Sequence, residues 1–212
     1  RRYLNSILNQ VSLEYRQDFL SYEKARRQKN SLLDQINEGT ASRKDLVIWN
    51  EQMLDFGRKV QAGRQKYLKY LNDNLENTRF NYFPSEFSSA RLAEFLEREI
   101  AAGLSLIGPH RDDFSFATNN SQLTTHSLAH FGSRGEQRMG VFELKLGELK
   151  YFREELRAEP LLLLDDIFSE LDEEHRGEVW LKLARNAPQV ILTATEAESI
   201  DAKYLKEVKV VK

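Results

Sequence analysis

The sequence predicts an α/β protein that carries an antiparallel helical hairpin, a coiled-coil arm. Between residues 46 and 70 the apolar or small positions alternate at spacings of three and four, which is the periodicity of a coiled-coil seam. From residue 78 onward, short strand-like runs alternate with amphipathic segments. One of these runs, residues 161–164, consists of four leucines, a composition typical of a strand buried on both faces of a parallel sheet.

Two helices account for the predicted arm. A looser helical pattern over residues 4–36 is separated from the second helix by the turn-rich segment 37–42. Ser42 followed by Asp45 resembles the N-cap signal of that second helix. Its seam consists of Leu46, Trp49, Met53, Phe56, Val60, Gly63, Tyr67 and Tyr70, with Gly63 as the one weak position.

The boundary between the arm and the rest of the chain is expected near residue 76, which gives an arm of residues 1–76 and a second domain of residues 77–212. In the second domain we expect helices at 88–101, 136–157 and 173–186. Strands are expected at 78–83, 104–107, 113–117, 161–164, 189–192 and 204–211, with a hairpin-type turn at 119–121.

Composition excludes several classes of protein. The 212 residues include no Cys, which rules out disulfides, a thiol nucleophile and Cys-ligated metals and fits a reducing, cytoplasmic location. No apolar run approaches the roughly 20 residues of a membrane helix. Residues 1–75 carry 14 Lys and Arg against 9 Asp and Glu, whereas the rest carries 17 against 24. This asymmetry suggests two units with different partners. The basic unit is equally consistent with a solvated helical surface and a nucleic-acid-facing one.

Two acids end the run of leucines. Asp165 and Asp166 follow residues 161–164 at the carboxyl end of a strand, where open α/β sheets bind ligands. In phosphate-handling sites the first acid holds Mg²⁺ and the second orients or deprotonates an attacking water. A strand that ends in an ordinary turn explains this motif alone equally well.

A second candidate site precedes the longest helix of the second domain. Ser133 and Gly135 stand at its start, where unpaired N–H groups and the positive end of the helix dipole favour an anion. Taken alone, this pattern is more often an ordinary N-cap. Residues 169–172, Ser-Glu-Leu-Asp, are by themselves a capping sequence for the helix at Glu173.

The order and spacing of these segments resemble an ATP-binding-cassette (ABC) ATPase. Residues 133–137 are similar to the signature motif, residues 161–166 to the Walker B strand and residues 169–172 to the D-loop. Residues 189–196 resemble the switch strand, with Thr195 where transporters have a His. The resemblance implies a partial ABC-type ATPase head, a mixed sheet with helices, beside the arm.

Among these ATPases, the RecF family of the SMC-like branch resembles this sequence best in the residues and the order of its motifs. The specific strings are Gly-Pro-His-Arg-Asp-Asp at 108–113, Ser-Arg-Gly-Glu-Gln-Arg at 133–138 and Leu-Asp-Asp-Ile-Phe-Ser-Glu-Leu-Asp at 164–172. Residues 1–4 and 49–53 of the arm are also similar. The resemblance therefore spans essentially the whole chain, as a carboxyl-terminal portion of the family's proteins.

This resemblance implies an ATP-dependent DNA clamp. In the family, two heads close on ATP, which lies between one subunit's Walker A loop and the other's signature motif. The dimer binds double-strand/single-strand DNA junctions and acts with RecR and RecO in recombinational gap repair. Asp165 would coordinate Mg²⁺, and Asp166 would position the hydrolytic water. The remaining ATP-site residues implied are Ser133, Arg134, Gly135, Glu136 and Gln137, together with Asp172 at the dimer seam and Thr195.

One motif of such ATPases is absent. The sequence has no G-x-x-x-x-G-K-[ST], the loop that supplies most of the phosphate cradle. The chain alone is therefore expected to bind ATP weakly and to hydrolyse none measurably. The simplest explanation is a carboxyl-terminal part of a longer ATPase, in which case ATP and Mg²⁺ bind only to the complete protein.

Several features leave alternatives open. A structural or interface role is favoured for His110 over that of a base or metal ligand, and Arg111 is a candidate partner for phosphate or for the acids beside it. Lys24, Arg26, Arg27 and Lys29 form a basic cluster on the arm, which suits either DNA phosphates or a charged coiled-coil flank. Two other functions also stay open. One is another SMC-like repair ATPase, whose arm is usually longer, and the other is a non-catalytic interaction module.

Overall fold

The computed structural model describes residues 1–75, 78–118, 134–169, 171–187, 189–194 and 209, with the backbone alone at residues 116, 118 and 136. Its helices are α1 (Arg2–Val11), α2 (Leu13–Asn37), α3 (Leu46–Asn74), α4 (Ser89–Ala102), α5 (Arg134–Leu156) and α6 (Glu173–Asn186). Its strands are β1 (Thr78–Phe83), β2 (Asp113–Thr118), β3 (Leu162–Leu164) and β4 (Val190–Leu192). The elements divide into two compact units, Arg1–Lys69 with Asn81–Ser115 and Tyr70–Phe80 with Phe116–Lys212.

The predicted fold class, part of an ABC-type ATPase head with a helical arm, is confirmed. The helix at 173–186 and the strand at 78–83 have the predicted bounds. The predicted strand at 104–107 is wrong, because this segment is a loop. The predicted turn at 119–121 and strand at 204–211 lie outside the described residues. Within the described ranges, no helix is long and apolar enough to cross a membrane.

Helices α2 and α3 run antiparallel. A β-carbon at Gly63 would lie 2.6 Å from Cδ2 of Tyr15, and Leu33 and Leu46 share one apolar cluster. Residue numbers thus fall along α3 as they rise along α2. Gly63 is therefore not a weak position in the seam but the place where α3 accommodates the Tyr15 ring. The seam residues Leu46, Met53, Val60 and Tyr67 are buried.

The first helix of the arm is interrupted where one continuous pattern was expected. Ser12 has an extended backbone, φ −128°, and separates α1 from α2. Its hydroxyl accepts a hydrogen bond of 3.1 Å from the amide of Tyr15, which satisfies one of the free N–H groups at the start of α2. An N-cap residue inside the helical pattern is the physical reason for the break.

Two buried ion pairs join residues 81–115 to the helical hairpin in one unit. Lys29 of α2 pairs with Glu99 of α4 at 2.6 Å, and Arg64 of α3 pairs with Asp112 at 2.6 Å. All four side chains are at most 2% exposed. The division in the structure therefore differs from the expected boundary at residue 76, because charges in α2 and α3 have their partners beyond it.

Asp112 accepts hydrogen bonds from several directions. Oδ2 accepts from the Arg64 guanidinium at 2.6 Å and from the Tyr82 hydroxyl. Oδ1 accepts from the side chain of Gln61 and from the amide of Ser85, both at 2.8 Å. Burial, reinforced by the bond to Asp112, raises the pKa of Tyr82 above its ordinary range, so its hydroxyl remains a donor.

The loop that precedes Asp112 is held by side chains of the hairpin and α4. The amide of Ser105 donates to Oδ1 of Asn30 at 2.9 Å, and the amide of Leu106 donates to Oε1 of Glu99 at 2.7 Å. These side-chain partners satisfy backbone groups that a strand would pair with another strand. This accounts for the loop at 104–107 despite its apolar sequence.

His110 is half-buried between α2 and this loop. Its Nε2 lies 2.8 Å from the Ser105 carbonyl oxygen, and its Nδ1 lies 2.6 Å from the Tyr22 hydroxyl. Because a carbonyl only accepts, Nε2 carries the proton, and the neutral ring accepts at Nδ1 from Tyr22. Gly108, at φ +124°, passes close to the same hydroxyl, where a β-carbon would lie 2.8 Å away. The contacts favour the structural role expected for His110.

Burial lowers the pKa of His110 to about 4, from 6.5. The unfolded chain therefore binds more protons than the folded chain between these values, and stability falls as the pH falls through this window. We expect His110 to account for a loss of roughly 2.5 kcal/mol in the free energy of unfolding between pH 7 and pH 4.5. Urea titrations of the wild type and of His110→Gln measure this loss. His175→Gln, which removes a half-buried imidazole of the other unit, is the control, and a pH dependence that persists undiminished in His110→Gln contradicts the expectation.

Strands β3 and β4 pair in parallel, with Leu164 opposite Leu192. Helices α5 and α6 bury one face of this pair. Phe142 of α5 and Val179 of α6 lie in one apolar cluster with Leu164 of β3. The other face carries Leu163 and Ile191, which are 67% and 57% exposed. The expected burial of the leucine run on both faces is therefore not found within the described part of the chain.

Candidate functional site

The carboxyl ends of β3 and β4 bring Asp165, Asp166 and Thr193 together. Because Leu164 pairs with Leu192 in a parallel register, the residues that follow emerge at the same edge. The Thr193 hydroxyl donates to Oδ1 of Asp165 at 2.5 Å and accepts from the amide of Asp166 at 3.1 Å. One hydroxyl thus fixes both the carboxylate of the first acid and the backbone of the second.

The backbone of Asp166 lies in the left-handed region, with φ +46°. For a residue with a β-carbon this conformation costs about 1 kcal/mol, so its surroundings must hold it. The chain turns sharply here, and the amide of Ser169 donates to the Asp166 carbonyl at 3.3 Å. Among the described residues, Asp165 is exposed and Asp166 is half-buried.

Arg138 of α5 reaches the same turn. Its Nη1 donates to the carbonyl oxygens of Asp166 and Ser169 at 3.0 and 2.9 Å, and to the Ser169 hydroxyl oxygen at 2.7 Å. The helix that contains most of the predicted signature segment, residues 134–137 of 133–137, is therefore bonded to the turn that includes the second of the paired acids.

Asp172 begins α6. Its Oδ1 accepts from the amide of His175 at 2.9 Å and lies 2.7 Å from Nδ1 of the same residue. These bonds hold the pKa of the Asp172 carboxyl below its ordinary value. The capping role expected for this sequence is confirmed, and a further role at a dimer seam stays a prediction.

The remaining predicted ATP-site residues are only partly described. Ser133 and Thr195 lie outside the described residues, as does the side chain of Glu136. Arg134 and Gln137 are exposed in the first turn of α5, and Gly135 is half-buried there. The structure thus brings the acids together with Thr193 and Arg138, two residues that the sequence analysis did not select.

A signal for each of these two residues was present in the sequence. Thr193 directly follows the apolar strand β4, just as Asp165 directly follows β3. Pairing these two strands in parallel therefore places Thr193 next to Asp165. Arg138 stands five residues after Ser133, in the last position of the motif 133–138. Two of its partners are backbone carbonyls, for which the sequence holds no signal, and the third is the Ser169 hydroxyl.

The basic cluster on α2 is divided by the fold. Lys29 is buried against Glu99, which withdraws its ammonium from the surface. Arg26 is bound through two nitrogens to Glu23, at 3.2 and 2.7 Å. Lys24 and Arg27 are exposed and lie three residues apart on one helix.

Arg111 is exposed, whereas its neighbour Asp112 is buried. The guanidinium that pairs with Asp112 belongs to Arg64, not to the adjacent Arg111. Of the roles left open for Arg111, pairing with Asp112 is not the one that the structure shows, because Asp112 points to the hairpin, and a phosphate contact stays a prediction.

The donor set at the strand edge suits a hard cation. Carboxylate and hydroxyl oxygens are the ligands that Mg²⁺ prefers, and Mg²⁺ commonly takes one or two protein carboxylates with substrate phosphates. Across the described ranges, no three His, Cys, Asp or Glu side chains cluster closely enough to hold a metal. The carboxylates of Asp165 and Asp166 and the Thr193 hydroxyl are therefore the candidate ligands at this edge.

Comparison with known proteins finds curated relatives of the chain. No protein-family model matches the chain. "DNA replication and repair protein RecF" of Moorella thermoacetica is 36% identical over 97% of this chain and 58% of its own length. The protein of the same name from Staphylococcus aureus strain JH9 is 31% identical over 99% of this chain and 62% of its own length. The chain thus spans about three fifths of the length of these relatives.

Solved structures agree with the sequence comparison. A RecF-ATP structure, of the recombination mediator protein RecF in the RecFOR pathway, superposes with a TM-score of 0.76 and 26% identity over 93% of this chain and 57% of that one. A RecF-ATPrS structure gives 0.75 and 26%, over 94% and 58%.

The fold is that of a partial ABC-type ATPase head with a helical arm. The chain belongs to the RecF family, and the share of its relatives that it covers fits a carboxyl-terminal portion.

The Thr193 hydroxyl is expected to protect the backbone of Asp166. Thr193→Val keeps the shape of the side chain but removes the acceptor, and a net hydrogen bond of about 1 kcal/mol corresponds to roughly fivefold faster amide exchange at Asp166. Thr193→Ser retains the hydroxyl and serves as the control. Amide hydrogen exchange followed by NMR measures the difference, and equal rates in the wild type and Thr193→Val would contradict the expectation.

Proposed function

We propose that this chain is the signature-to-Walker-B part of a RecF-like, ATP-dependent DNA-binding repair protein. In the complete protein, two heads would close on ATP as a clamp on double-strand/single-strand DNA junctions and act with RecR and RecO in gap repair. The relatives named DNA replication and repair protein RecF and the RecF-ATP structure support this proposal. The observation that carries it is the arrangement of Asp165, Asp166 and Thr193 at one strand edge.

In this proposal the two acids have different tasks. Asp165 would bind Mg²⁺, because its carboxylate is exposed and is oriented by the Thr193 hydroxyl. Bound Mg²⁺ offsets the charge of the ATP phosphates. Asp166 would orient the attacking water and accept its proton, as a carboxylate placed next to the metal ligand can do. The left-handed backbone at Asp166 turns the chain between the two acids.

The start of α5 would bind the ATP of the opposite head. The first N–H groups of a helix and its positive dipole end attract phosphate. Ser133 and Gly135 would contact the γ-phosphate across the dimer, with Arg134, Glu136 and Gln137 in support. Asp172 at the dimer seam and Thr195 on the switch strand would complete the set. The phosphate-binding loop would belong to the part of the complete protein that corresponds to the unmatched two fifths of these relatives.

Substitution of Asp166 tests the ATPase. In the complete protein, Asp166→Asn removes the proton acceptor with little change of shape, and we expect ATP turnover to fall at least about 100-fold. DNA binding in the presence of ATP is expected to persist. Glu174→Gln makes the same change of charge at an exposed position of α6 and should leave turnover unaltered. Unchanged turnover in Asp166→Asn would instead favour a non-catalytic interaction module.

Exposed charges of α2 are proposed to contact DNA phosphates. Lys24 and Arg27 would do so, while Arg26 would remain with Glu23. In the complete protein, we expect the double variant Lys24→Ala/Arg27→Ala to weaken DNA binding about tenfold. It should also lower the slope of log affinity against log salt by roughly two units.

A charge-matched variant separates this patch from general electrostatics. Arg58→Ala/Lys66→Ala removes two exposed charges from α3. Filter binding to gapped DNA over a range of salt concentrations compares the two double variants. Equal losses in both would show that only net charge matters and would remove the α2 patch from the proposal.

A further inference from the structure

We infer that Arg138 is a positioning residue for the turn of residues 166–169, which contains the proposed catalytic Asp166. It would couple the position of helix α5 to the backbone of Asp166 and to the rest of that turn. The inference rests on the proposed ATPase function and concerns a residue with no expected contact to ATP. It stands on three hydrogen bonds from one guanidinium nitrogen and on the backbone conformation of Asp166.

The peptide groups on both sides of Asp166 are held by different elements. Its amide donates to Thr193, which follows β4, and its carbonyl accepts from Arg138 of α5. With both bonds in place, the left-handed backbone of Asp166 is fixed from two directions. The direction of the Asp166 side chain is set by that backbone, so a shift of α5 relative to β4 would turn the carboxylate.

The bond to Ser169 extends this link along the turn. Nη1 of Arg138 also lies 2.9 Å from the Ser169 carbonyl and 2.7 Å from its hydroxyl oxygen. The Ser169 hydroxyl in turn lies 3.1 Å from the Asp166 carbonyl oxygen. These oxygens surround one cationic nitrogen, and hydrogen bonds from a charged donor are stronger than those between neutral groups. Arg138 therefore closes the turn 166–169 at its carbonyl side.

The contacts also predict which substitutions preserve the function. A single nitrogen makes all three of these bonds, so they do not depend on the fork of a guanidinium. A lysine ammonium has three donors at one point and can replace that nitrogen, whereas methionine fills similar space without a donor. Rescue by Lys but not by Met is thus the signature of the proposed role.

The test measures ATP hydrolysis by the complete protein. We expect Arg138→Met to lower kcat about 30-fold, because misplacement of a catalytic group by about 1 Å costs up to two orders of magnitude. Arg138→Lys should retain kcat within about threefold, and KM and the Kd for ATP should change less than about twofold in both. Arg153→Met is the matched control on the same helix. Its guanidinium bonds to Glu159 and to the carbonyl of Asn186, remote from the acids.

Three results would overturn the inference. Unchanged kcat in Arg138→Met would mean that catalysis does not need Arg138. A kcat of Arg138→Lys as low as that of Arg138→Met would mean that the bonds to the three oxygens do not explain the effect of Arg138 on kcat. A rise in the Kd for ATP that matches the fall in kcat would make Arg138 a nucleotide contact. If Arg138→Met does not fold, Ser169→Ala removes one acceptor without a buried charge, and its kcat should fall about threefold.

A second measurement separates this inference from the proposed function. In the present chain, the amide of Ser169 bonds within the turn, and its hydrogen exchange should accelerate in Arg138→Met but not in Arg138→Lys or Arg153→Met. Equal exchange in all of them overturns the link through Arg138. If exchange behaves as expected while Asp166→Asn leaves ATP turnover unaltered in the complete protein, the link stands and the ATPase proposal fails.

Discussion

The buried pair of Arg64 and Asp112 is the interaction on which one unit of the chain depends. Two charges taken out of water cost several kcal/mol each, and the cost is offset only where hydrogen bonds satisfy the remaining donors and acceptors. Asp112 accepts from Gln61, from Tyr82 and from the amide of Ser85 in addition to Arg64. Loss of one partner from such a pair typically lowers the free energy of unfolding by about 3–5 kcal/mol. The pair therefore holds the segment around Asp112 against the hairpin.

The acids of the other unit are held in the opposite way. Asp165 and Asp166 stand at the edge of β3 and β4. The Asp165 carboxylate accepts from the Thr193 hydroxyl, a neutral partner, and Arg138 bonds to the backbone carbonyl of Asp166 rather than to either carboxylate. A carboxylate paired inside the protein stabilises the fold but is not available to a ligand. A carboxylate whose hydrogen-bond partners are neutral has no cation paired with it and is available to bind a metal ion or a water. The environment therefore separates two Asp-Asp motifs that look alike in the sequence.

Several predictions succeeded because they depend on local physics. The bounds of the helix at 173–186 follow from a cap residue and a helical pattern, and those of the strand at 78–83 from its composition and the proline after it. The loop at 104–107 was wrongly expected to be a strand, because its backbone partners are the side chains of Asn30 and Glu99. Lys29 was assigned to a surface cluster because its partner is 70 residues away in the sequence.

The residue pattern was sufficient to establish the RecF resemblance, the hairpin and the paired acids, because motif spacing and hydrophobic period are properties of neighbouring residues. It was insufficient for the roles of Thr193 and Arg138, which arise from a parallel register and from carbonyl oxygens that every residue has. The fold also decided which charges are buried. Burial depends on the partner that packing supplies, and for Asp112 that partner is Arg64 on another helix and not the adjacent Arg111.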